Sequence, residues 1–594
     1  MKIQKEKHKN ILFYTPWKVE SVARTGILLS AILVMIYCVW TLNRGFEITD
    51  EAYYLLLAMH AGSAKFYISA QQWITAWLWL ITGSITMFRA AGMALLLASS
   101  TLLAHGVFSA CLRFGLVVDR FEFKSVVIAG SIVGAMLYAS TINLSPCYNL
   151  LASASAYAAA GMVLLALNRV SITYKYVLYA LAGCAVAVEA ICKPSAGVST
   201  LALLILWVGI FEHSRFNKIF GSVVIIIGAV AFSGLALLVN TTFSDATKAV
   251  EQGMQLFRMV QVETVGARLV RYSIEYWAYI LIILRAFAIP ILMMIVYVTT
   301  RRPTFAILSL VALVITLSLG NLNLGLPTIS IHNAAFHSYL FGGFNRYDVQ
   351  ITAIFAILLM ALIASIPVWK KNFSTLALFA GLFVLPYTVA IGTGNSIFTQ
   401  VIDSLSPWGS LIALLVVASY RDNFNKMITS LVGFCFIGTI ALQIFTSSLR
   451  PYHLSSPLTK QNKLTVVGNL GEIKVDAETY KFITDLKAAV KKCGIASGAP
   501  FFGLYNIPGV ALALQATPVM TPWLNNREQT EFVFERVRSE ELHSAVVAIQ
   551  MEGNGISPPF PLQLAAFPLG YQYCGMATNP FMQQRIQIWQ SQAQ

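Results

Sequence analysis

The chain has 594 residues, of which 57% are hydrophobic and 11% are charged. Ordinary soluble proteins have about 25% charged residues, so this composition excludes a soluble globular protein. Between about residues 23 and 446, apolar runs near the ~20 residues needed to cross a bilayer recur between short polar loops. The composition therefore predicts a polytopic α-helical membrane protein.

The chain begins with a polar segment that contains Lys2, Lys5 and Lys7. The apolar run from Thr25 to Leu42 that follows it is too long for a signal peptide. We interpret it as an uncleaved first span with a cytoplasmic amino terminus, because Lys and Arg concentrate on the cytoplasmic side of membrane proteins.

Thirteen spans are predicted in chain order. They lie near 23–42, 89–111, 125–142, 150–168, 176–191, 197–211, 218–240, 277–299, 304–320, 350–368, 374–391, 408–420 and 427–446. The loops that this order places in the cytoplasm are short and basic, as with Arg301 and Arg302. Topology and anionic lipid therefore explain the net charge of +15, and no nucleic-acid partner is needed.

Five loops fall on the outer side: 43–88, 143–149, 241–276, 321–349 and 392–407. The first contains a tryptophan-rich stretch from Gln71 to Phe88, which is typical of a helix lying in the membrane interface. The third has the pattern of an amphipathic surface helix. The second includes Ser145–Tyr148, which predicts only a tight connection.

Asp50 and Glu51 lie at the outer end of the first span. One interpretation is structural: Thr49 caps a helix beginning at Asp50, and acids in a first turn favour the helix dipole. The other is chemical, because a carboxylate shielded by neighbours such as Tyr53 and Tyr54 gains basicity and can act as a general base. Adjacent residues point to different faces of a helix, so the two acids cannot do the same work.

The motif Asp50-Glu51-Ala52-Tyr53-Tyr54 resembles the acidic motif of the GT-C superfamily of polyprenyl-phosphate-sugar-dependent glycosyltransferases. That superfamily includes the protein mannosyltransferases and the lipid A aminoarabinose transferase. The layout of residues 20–450 is also similar. The resemblance implies that an acceptor hydroxyl attacks the anomeric carbon of the donor sugar and displaces the lipid phosphate with inversion. It further implies that Asp50 is the base, that Glu51 orients the acceptor or a basic partner, and that Tyr53 and Tyr54 contact substrate.

Cations are then expected near the departing phosphate. Lys193 falls at the outer end of the fifth span, where Pro194 and Gly197 interrupt the helix. Such breaks at membrane depth usually line a cavity, and a charge in them is a functional candidate. The alternative is that Lys193 pairs with Glu189 on one helix face.

Arg271 and Arg346 are further candidates for the donor phosphate, and His332 and His337 for substrate contact. Arg271 equally fits a solvated helix face, and Arg346 equally fits a pair with Asp348. A divalent metal ion stays open in this superfamily, although the two histidines have a spacing that suits neither HExxH nor a zinc finger. No cofactor is certain.

The fifth outer loop contains Asn395 among glycines and hydroxyl residues. Amide and hydroxyl groups suit hydrogen bonding to sugar hydroxyls, and they equally suit a tight turn.

The composition predicts two domains, a transmembrane catalytic domain at 1–446 and a soluble α/β domain at 447–594. An odd number of spans places the second domain outside. If it is periplasmic, Cys493 and Cys574 have the oxidising surroundings in which disulfides form.

Three functions fit the sequence. The first is a bacterial inner-membrane glycosyltransferase that takes a sugar from polyprenyl (undecaprenyl) phosphate to an O-antigen or similar lipopolysaccharide glycan, in contact with membrane lipids. A ligase transferring a whole glycan is its close rival. The second is a transporter or flippase of a lipid-linked or small anionic substrate, for which inverted repeats and mid-membrane charges would be typical. The third is a non-catalytic scaffold.

Overall fold

The computed structural model describes residues 16–141, 143–168, 171–259, 263–319, 346–366, 372–421, 426–551, 558–564 and 566–592. Up to residue 447 the described chain is almost entirely helical. Its helices are α1 (Pro16–Thr41), α2 (Asp50–Met59), α3 (Gln72–Thr82), α4 (Ile85–Arg113), α5 (Phe121–Met136), α6 (Tyr148–Ala166), α7 (Ile172–Cys192), α8 (Pro194–Phe211), α9 (Arg215–Asn240), α10 (Phe243–Arg258), α11 (Val265–Thr300), α12 (Pro303–Leu319), α13 (Arg346–Ala364), α14 (Phe373–Ala390), α15 (Ile397–Gln400), α16 (Ser406–Ala418) and α17 (Lys426–Ser447).

Among the described residues, eleven helices are long and apolar enough to cross a membrane. A twelfth candidate is the pair Ile397–Ser404 and Ser406–Ala418, which is bent by 67°. Every one of the thirteen predicted spans overlaps a helix. Twelve of them correspond to these candidates, and the thirteenth corresponds to the shorter apolar helix α12. The chain is therefore a multi-pass membrane protein, and the predicted class of the membrane part is confirmed.

The tryptophan-rich stretch Gln71–Phe88 is two elements rather than one helix. Gly83 has a φ of 62°, a left-handed conformation that ends α3. Ser84 then accepts a hydrogen bond from the Met87 backbone N–H and begins α4. The second predicted span consequently starts at Ile85 rather than at residue 89.

The third predicted outer loop, 241–276, also divides. Its first part is the amphipathic helix α10, and its last part belongs to α11. Thr264 caps α11 by accepting from the Ala267 N–H at 3.2 Å. Arg271 therefore lies in the second turn of a membrane-spanning helix rather than in a surface loop.

The C-terminal residues form an α/β domain, as predicted. Its strands are β1 (Lys463–Val466), β2 (Glu472–Val475), β3 (Pro500–Leu504), β4 (Thr517–Pro518), β5 (Val546–Gln550), β6 (Tyr571–Thr578) and β7 (Arg585–Ser591). Its helices are α18 (Ala477–Cys493), α19 (Pro508–Leu514), α20 (Arg527–Phe534) and α21 (Ser539–Ser544). The main sheet has the order β4-β3-β5-β7-β6, with β3 parallel to β4 and β5 and with β7 antiparallel to β5 and β6.

Cys493 at the end of α18 and Cys574 in β6 are joined by a disulfide, with their Cα atoms 5.4 Å apart. The bridge ties the helix to the edge strand of the main sheet.

The C-terminal domain shares a core with the chain between α1 and α4. Buried side chains such as Ile48 and Phe88 pack in one cluster with Phe482 and Val510 of the domain. A Cβ on Gly509 would lie 2.7 Å from the Ile48 Cβ, so only glycine permits this approach. The backbone after α1 also pairs with β2, because the Gly45 N–H donates to the Lys474 carbonyl at 2.8 Å. The domain is thus docked directly onto the segment that carries the acidic motif.

Candidate functional site

The acidic motif begins α2, as the sequence predicts, but its cap differs from the prediction. Thr49 makes no side-chain cap. Its hydroxyl instead donates to Glu47 Oε1, which also accepts from the Thr49 backbone N–H at 2.7 Å. Glu47 Oε2 accepts from the Glu51 N–H at 2.7 Å. The Glu47 carboxylate therefore accepts from one free N–H group of the first helical turn, that of Glu51, which is the role of a capping side chain.

Glu51 is buried and paired. Arg89 of α4 donates two hydrogen bonds to it, from Nε to Oε1 at 2.7 Å and from Nη2 to Oε2 at 2.6 Å. Asn143 donates to Oε2 at 2.7 Å and Ser145 donates to Oε1 at 2.6 Å. Glu51 is 1% exposed, so its oxygens are fully engaged inside the protein. The connection Ser145–Tyr148 is accordingly more than the tight turn that was predicted.

A cavity of about 630 Å³ opens beside the start of α2. Its lining includes four carboxylates and five tyrosines, namely Asp50, Glu275, Asp348, Asp403, Tyr54, Tyr148, Tyr279, Tyr347 and Tyr452. A cavity of this size, with convergent polar groups over aromatic walls, is suited to a small-molecule or glycosyl ligand.

Asp50 lines this cavity. Its Oδ2 accepts a hydrogen bond from the Tyr452 hydroxyl at 2.8 Å. Its Oδ1 has no hydrogen-bond partner among the described residues. Burial raises the pKa of Asp50 to about 6, and the nearby charge of Glu47 contributes to the rise, while Tyr452 and His453 oppose it. A carboxylate with a free oxygen and raised basicity can accept a proton from a bound hydroxyl group.

Two further carboxylates line the cavity in fixed positions. Asp348 Oδ1 accepts from the Tyr279 hydroxyl and, at 2.5 Å, from the Thr399 hydroxyl. Asp403 accepts from Thr141 at 2.7 Å and from the Gln400 amide. These donors orient the two carboxylates in the cavity wall.

Lys193 occupies the one-residue break between α7 and α8, as the sequence indicates. It is 7% exposed. In the described ranges its ammonium has no hydrogen bond and no ion pair within 4.0 Å, so it does not pair with Glu189, whose carboxylate accepts from Thr200 instead. The charge of Lys193 interacts electrostatically with Asp403. Asp403 lines the cavity, whereas Lys193 is not among the lining residues.

Arg271 is engaged rather than free. Its Nε donates to Glu263 at 2.8 Å and its Nη1 donates to Glu275 at 2.8 Å. The same guanidinium reaches the Asn395 carbonyl at 3.3 Å and the Gly394 carbonyl at 3.4 Å. The residue therefore fastens the fifth predicted loop to α11, and it is Asn395 in that loop, rather than Arg271, that lines the cavity.

The two tyrosines of the motif have different positions. Tyr54 lines the cavity, whereas Tyr53 packs against Trp523 of the C-terminal domain with ring centroids 5.3 Å apart. Burial raises the pKa of Tyr53 to about 12.

The predicted contacts at His332 and His337 lie outside the described residues. Arg346 begins α13, and its side chain lies outside them as well. Within the described part of the chain, no group of three His, Cys, Asp or Glu side chains is placed to hold a metal ion.

Sequence reasoning missed several members of the site. Asp403 and Arg89 are ionisable residues inside apolar runs, a signal that does mark function or pairing in membrane proteins. Tyr452 and His453 carry no such signal, because they follow the last spanning helix like any polar linker. Only the three-dimensional structure brings them to Asp50.

No protein-family model matches the sequence, and no curated protein does either. Two solved structures of the oligosaccharyltransferase of Archaeoglobus fulgidus are similar to the chain, one tethered to an acceptor peptide with the NVT sequon and one in complex with Zn and sulfate. Both have a TM-score of 0.42, with 14% and 13% identity, over 90% and 89% of this chain and 69% and 67% of theirs. A TM-score of this size does not establish a shared fold, so the residues of the site must carry the function proposed below.

The Arg89–Glu51 pair is expected to be essential for folding. Arg89→Ala leaves the Glu51 carboxylate buried without its cation, which costs about 3–5 kcal/mol. The pair Arg24–Glu122, at 3.5 Å with Glu122 exposed and Arg24 half-buried, offers a control, since Arg24→Ala removes about 0–1 kcal/mol. Denaturant-induced unfolding in detergent micelles measures both. Equal stabilities for the two variants would contradict this assignment.

Proposed function

We propose that the protein is a GT-C glycosyltransferase that moves a sugar from a polyprenyl-phosphate donor to a cell-envelope glycan. The observation that carries the proposal is Asp50: one carboxylate oxygen is held by Tyr452, and the other is free at a cavity within a multi-pass membrane protein. General-base catalysis needs such a group within hydrogen-bond reach of the acceptor.

In the proposed reaction the acceptor hydroxyl gives its proton to Asp50 Oδ1 as its oxygen attacks the anomeric carbon. The bond between that carbon and the phosphate oxygen breaks, and the polyprenyl phosphate leaves with the electron pair. Attack and departure occur on opposite faces of the sugar, so the product has inverted configuration. Water, a nucleotide and a covalent intermediate are all unnecessary.

Lys193 is the proposed counter-charge for the leaving phosphate. A buried ammonium without a described partner is unfavourable unless an anion joins it, and a lipid phosphate supplies two charged oxygens. The helix break around Lys193 also leaves backbone donors at the start of α8, which favours an anion. Arg346 stays a candidate for the donor phosphate, and His332 and His337 stay candidates for substrate contact.

Glu51 has a positioning role in this proposal, since Arg89 and its other partners leave it no free oxygen. It fixes the first turn of α2 and therefore the direction of Asp50. Tyr54 and Asn395 provide the aromatic and amide surfaces that sugars use.

The proposed location is a bacterial inner membrane, with a cytoplasmic amino terminus and a periplasmic C-terminal domain. The Cys493–Cys574 disulfide supports an oxidising compartment for that domain. An undecaprenyl-phosphate sugar and an O-antigen or lipopolysaccharide acceptor are the corresponding substrates.

Substitution of the base tests the class directly. Asp50→Asn removes the proton acceptor at constant size, and a loss of about 100-fold or more in kcat is expected. The measurement is transfer of labelled sugar from synthetic polyprenyl-phosphate sugars to an envelope lipid and glycan extract, in detergent. Asp119→Asn, at an exposed position, is the matched control and should keep wild-type rates. Undiminished transfer by Asp50→Asn would rule out this base, and no transfer or binding of any donor by the wild type would favour a transporter or scaffold.

The pH profile of transfer follows from the pKa of Asp50, about 6. The ionised form is the base, so transfer is expected to be constant above that pKa and to fall tenfold per pH unit well below it. Rates of the full-length protein between pH 4.5 and 8.5 measure this. A profile without an acid limb would mean that another group takes the proton.

A further inference from the structure

The segment between α17 and the C-terminal domain reaches the acidic motif. Tyr452 donates to Asp50 Oδ2 at 2.8 Å. The imidazole of His453 stacks on the Tyr452 ring, with 3.8 Å between centroids. The Phe581 ring of the C-terminal domain also contacts this imidazole, with 4.9 Å between centroids. Burial, and then the charge of Asp50, raises the pKa of Tyr452, so its hydroxyl stays a donor.

The hydrogen-bond directions around His453 fix one of its protons. The Thr49 hydroxyl has a single hydrogen, which it donates to the Glu47 carboxylate. The contact of 3.0 Å between Thr49 Oγ1 and His453 Nδ1 therefore has Nδ1–H as its donor. The imidazole thus points a proton at the motif, and its ring lies 3.6 Å from Glu47 Oε1 and 4.0 Å from Asp50 Oδ2.

The motif has more acids than cations. Glu47, Asp50 and Glu51 fall within five consecutive residues, and Arg89 is committed to Glu51. Within the described residues, His453 is the basic side chain within 4.0 Å of both remaining carboxylates. Because Glu47 is 1% exposed, its charge needs a nearby donor or cation.

The backbone at His453 is also unusual. Its φ of 49° lies in the left-handed region, which is unfavourable for a non-glycine residue. The neighbouring segment is held at both ends, since Leu458 N–H donates to the Ser448 carbonyl and Ser455 donates to Asp476. Strain kept in place by surrounding contacts is characteristic of functional positions.

We propose that Tyr452 and His453 are positioning residues for Asp50, supplied by the junction with the C-terminal domain. Tyr452 fixes one carboxylate oxygen so that the other faces the cavity. His453 holds Glu47 through Thr49, and its Nδ1–H lies within 4.0 Å of both the Glu47 and the Asp50 carboxylates. The C-terminal domain thereby completes the catalytic site instead of merely binding a partner. This inference rests on the proposed role of Asp50 as the base.

Two substitutions separate these roles without disturbing the fold. Tyr452→Phe keeps the ring and removes the donor. His453→Asn removes the imidazole but keeps a side chain that tolerates the left-handed conformation. Tyr480→Phe and His543→Asn, at exposed positions of the same domain, are the matched controls.

The first readout is independent of sugar transfer. A hydrophobic carbodiimide modifies a carboxyl group in its protonated form, and mass spectrometry of the peptide containing Asp50 gives the fraction modified at each pH. In the wild type this fraction should rise as the pH falls through about 6. Besides Tyr452 and His453, the ionisable groups near Asp50 are Glu47, Tyr53, Tyr54 and Tyr148.

Both variants remove an interaction that favours the ionised carboxylate, so the midpoint of labelling should move to higher pH in each. The control variants should leave it in place. The second readout is transfer from a polyprenyl-phosphate sugar, in which kcat should fall about tenfold while KM for the donor changes less than about twofold.

An unchanged labelling midpoint in both variants would overturn the inference, as would a higher KM with an unchanged kcat. If labelling shifts as expected but the wild type transfers no sugar, the positioning stands and the proposed glycosyltransferase function fails. If Asp50→Asn abolishes transfer but neither linker variant changes labelling or kcat, the function stands and this inference fails.

Discussion

The position of the acidic motif at the start of α2 depends on one buried arginine. Arg89 sits in the second turn of α4, where its guanidinium donates to Glu51 and also to the backbone carbonyls of Leu42, Arg44 and Gly45. A guanidinium has five donors in a fixed plane, so a single side chain ties the end of α1 to the start of α2. The direction of Asp50 is set by this tie, because Asp50 is the residue before the one that Arg89 holds.

Hydropathy alone predicted the helices, and each predicted span overlaps one, because crossing a bilayer demands long apolar runs whatever the tertiary contacts. The position of Asp50 at a helix start was likewise readable from its neighbours. The rest of the site could not be predicted from the sequence. Asp403 and Tyr452 lie more than 300 residues further along the chain, and nothing local marks their approach to Asp50. The local cap was also misassigned, since Glu47 accepts from the Glu51 N–H that Thr49 was expected to satisfy.

Two features connect the soluble domain to the membrane part. The shared apolar core places the domain on the acidic motif, and the junction after α17 lays Tyr452 against Asp50. The domain thus contacts the same short segment from two sides. The arrangement explains how Asp50 is both partly buried and open to a cavity: Tyr452 of the junction holds one of its oxygens, and the residue lines a cavity that α11 and α13 also line.

We propose that Asp50 lies on the face of the anomeric carbon from which the acceptor attacks, and that Lys193 lies on the opposite face, beside the leaving phosphate. An electron cryo-microscopy structure of the full chain with a non-transferable polyprenyl-phosphonate sugar tests it most directly. We expect the sugar to lie in the cavity with its anomeric carbon towards Asp50 Oδ1. The phosphonate oxygens should lie within about 3 Å of the Lys193 ammonium. A donor bound elsewhere, with both side chains unchanged, would contradict it.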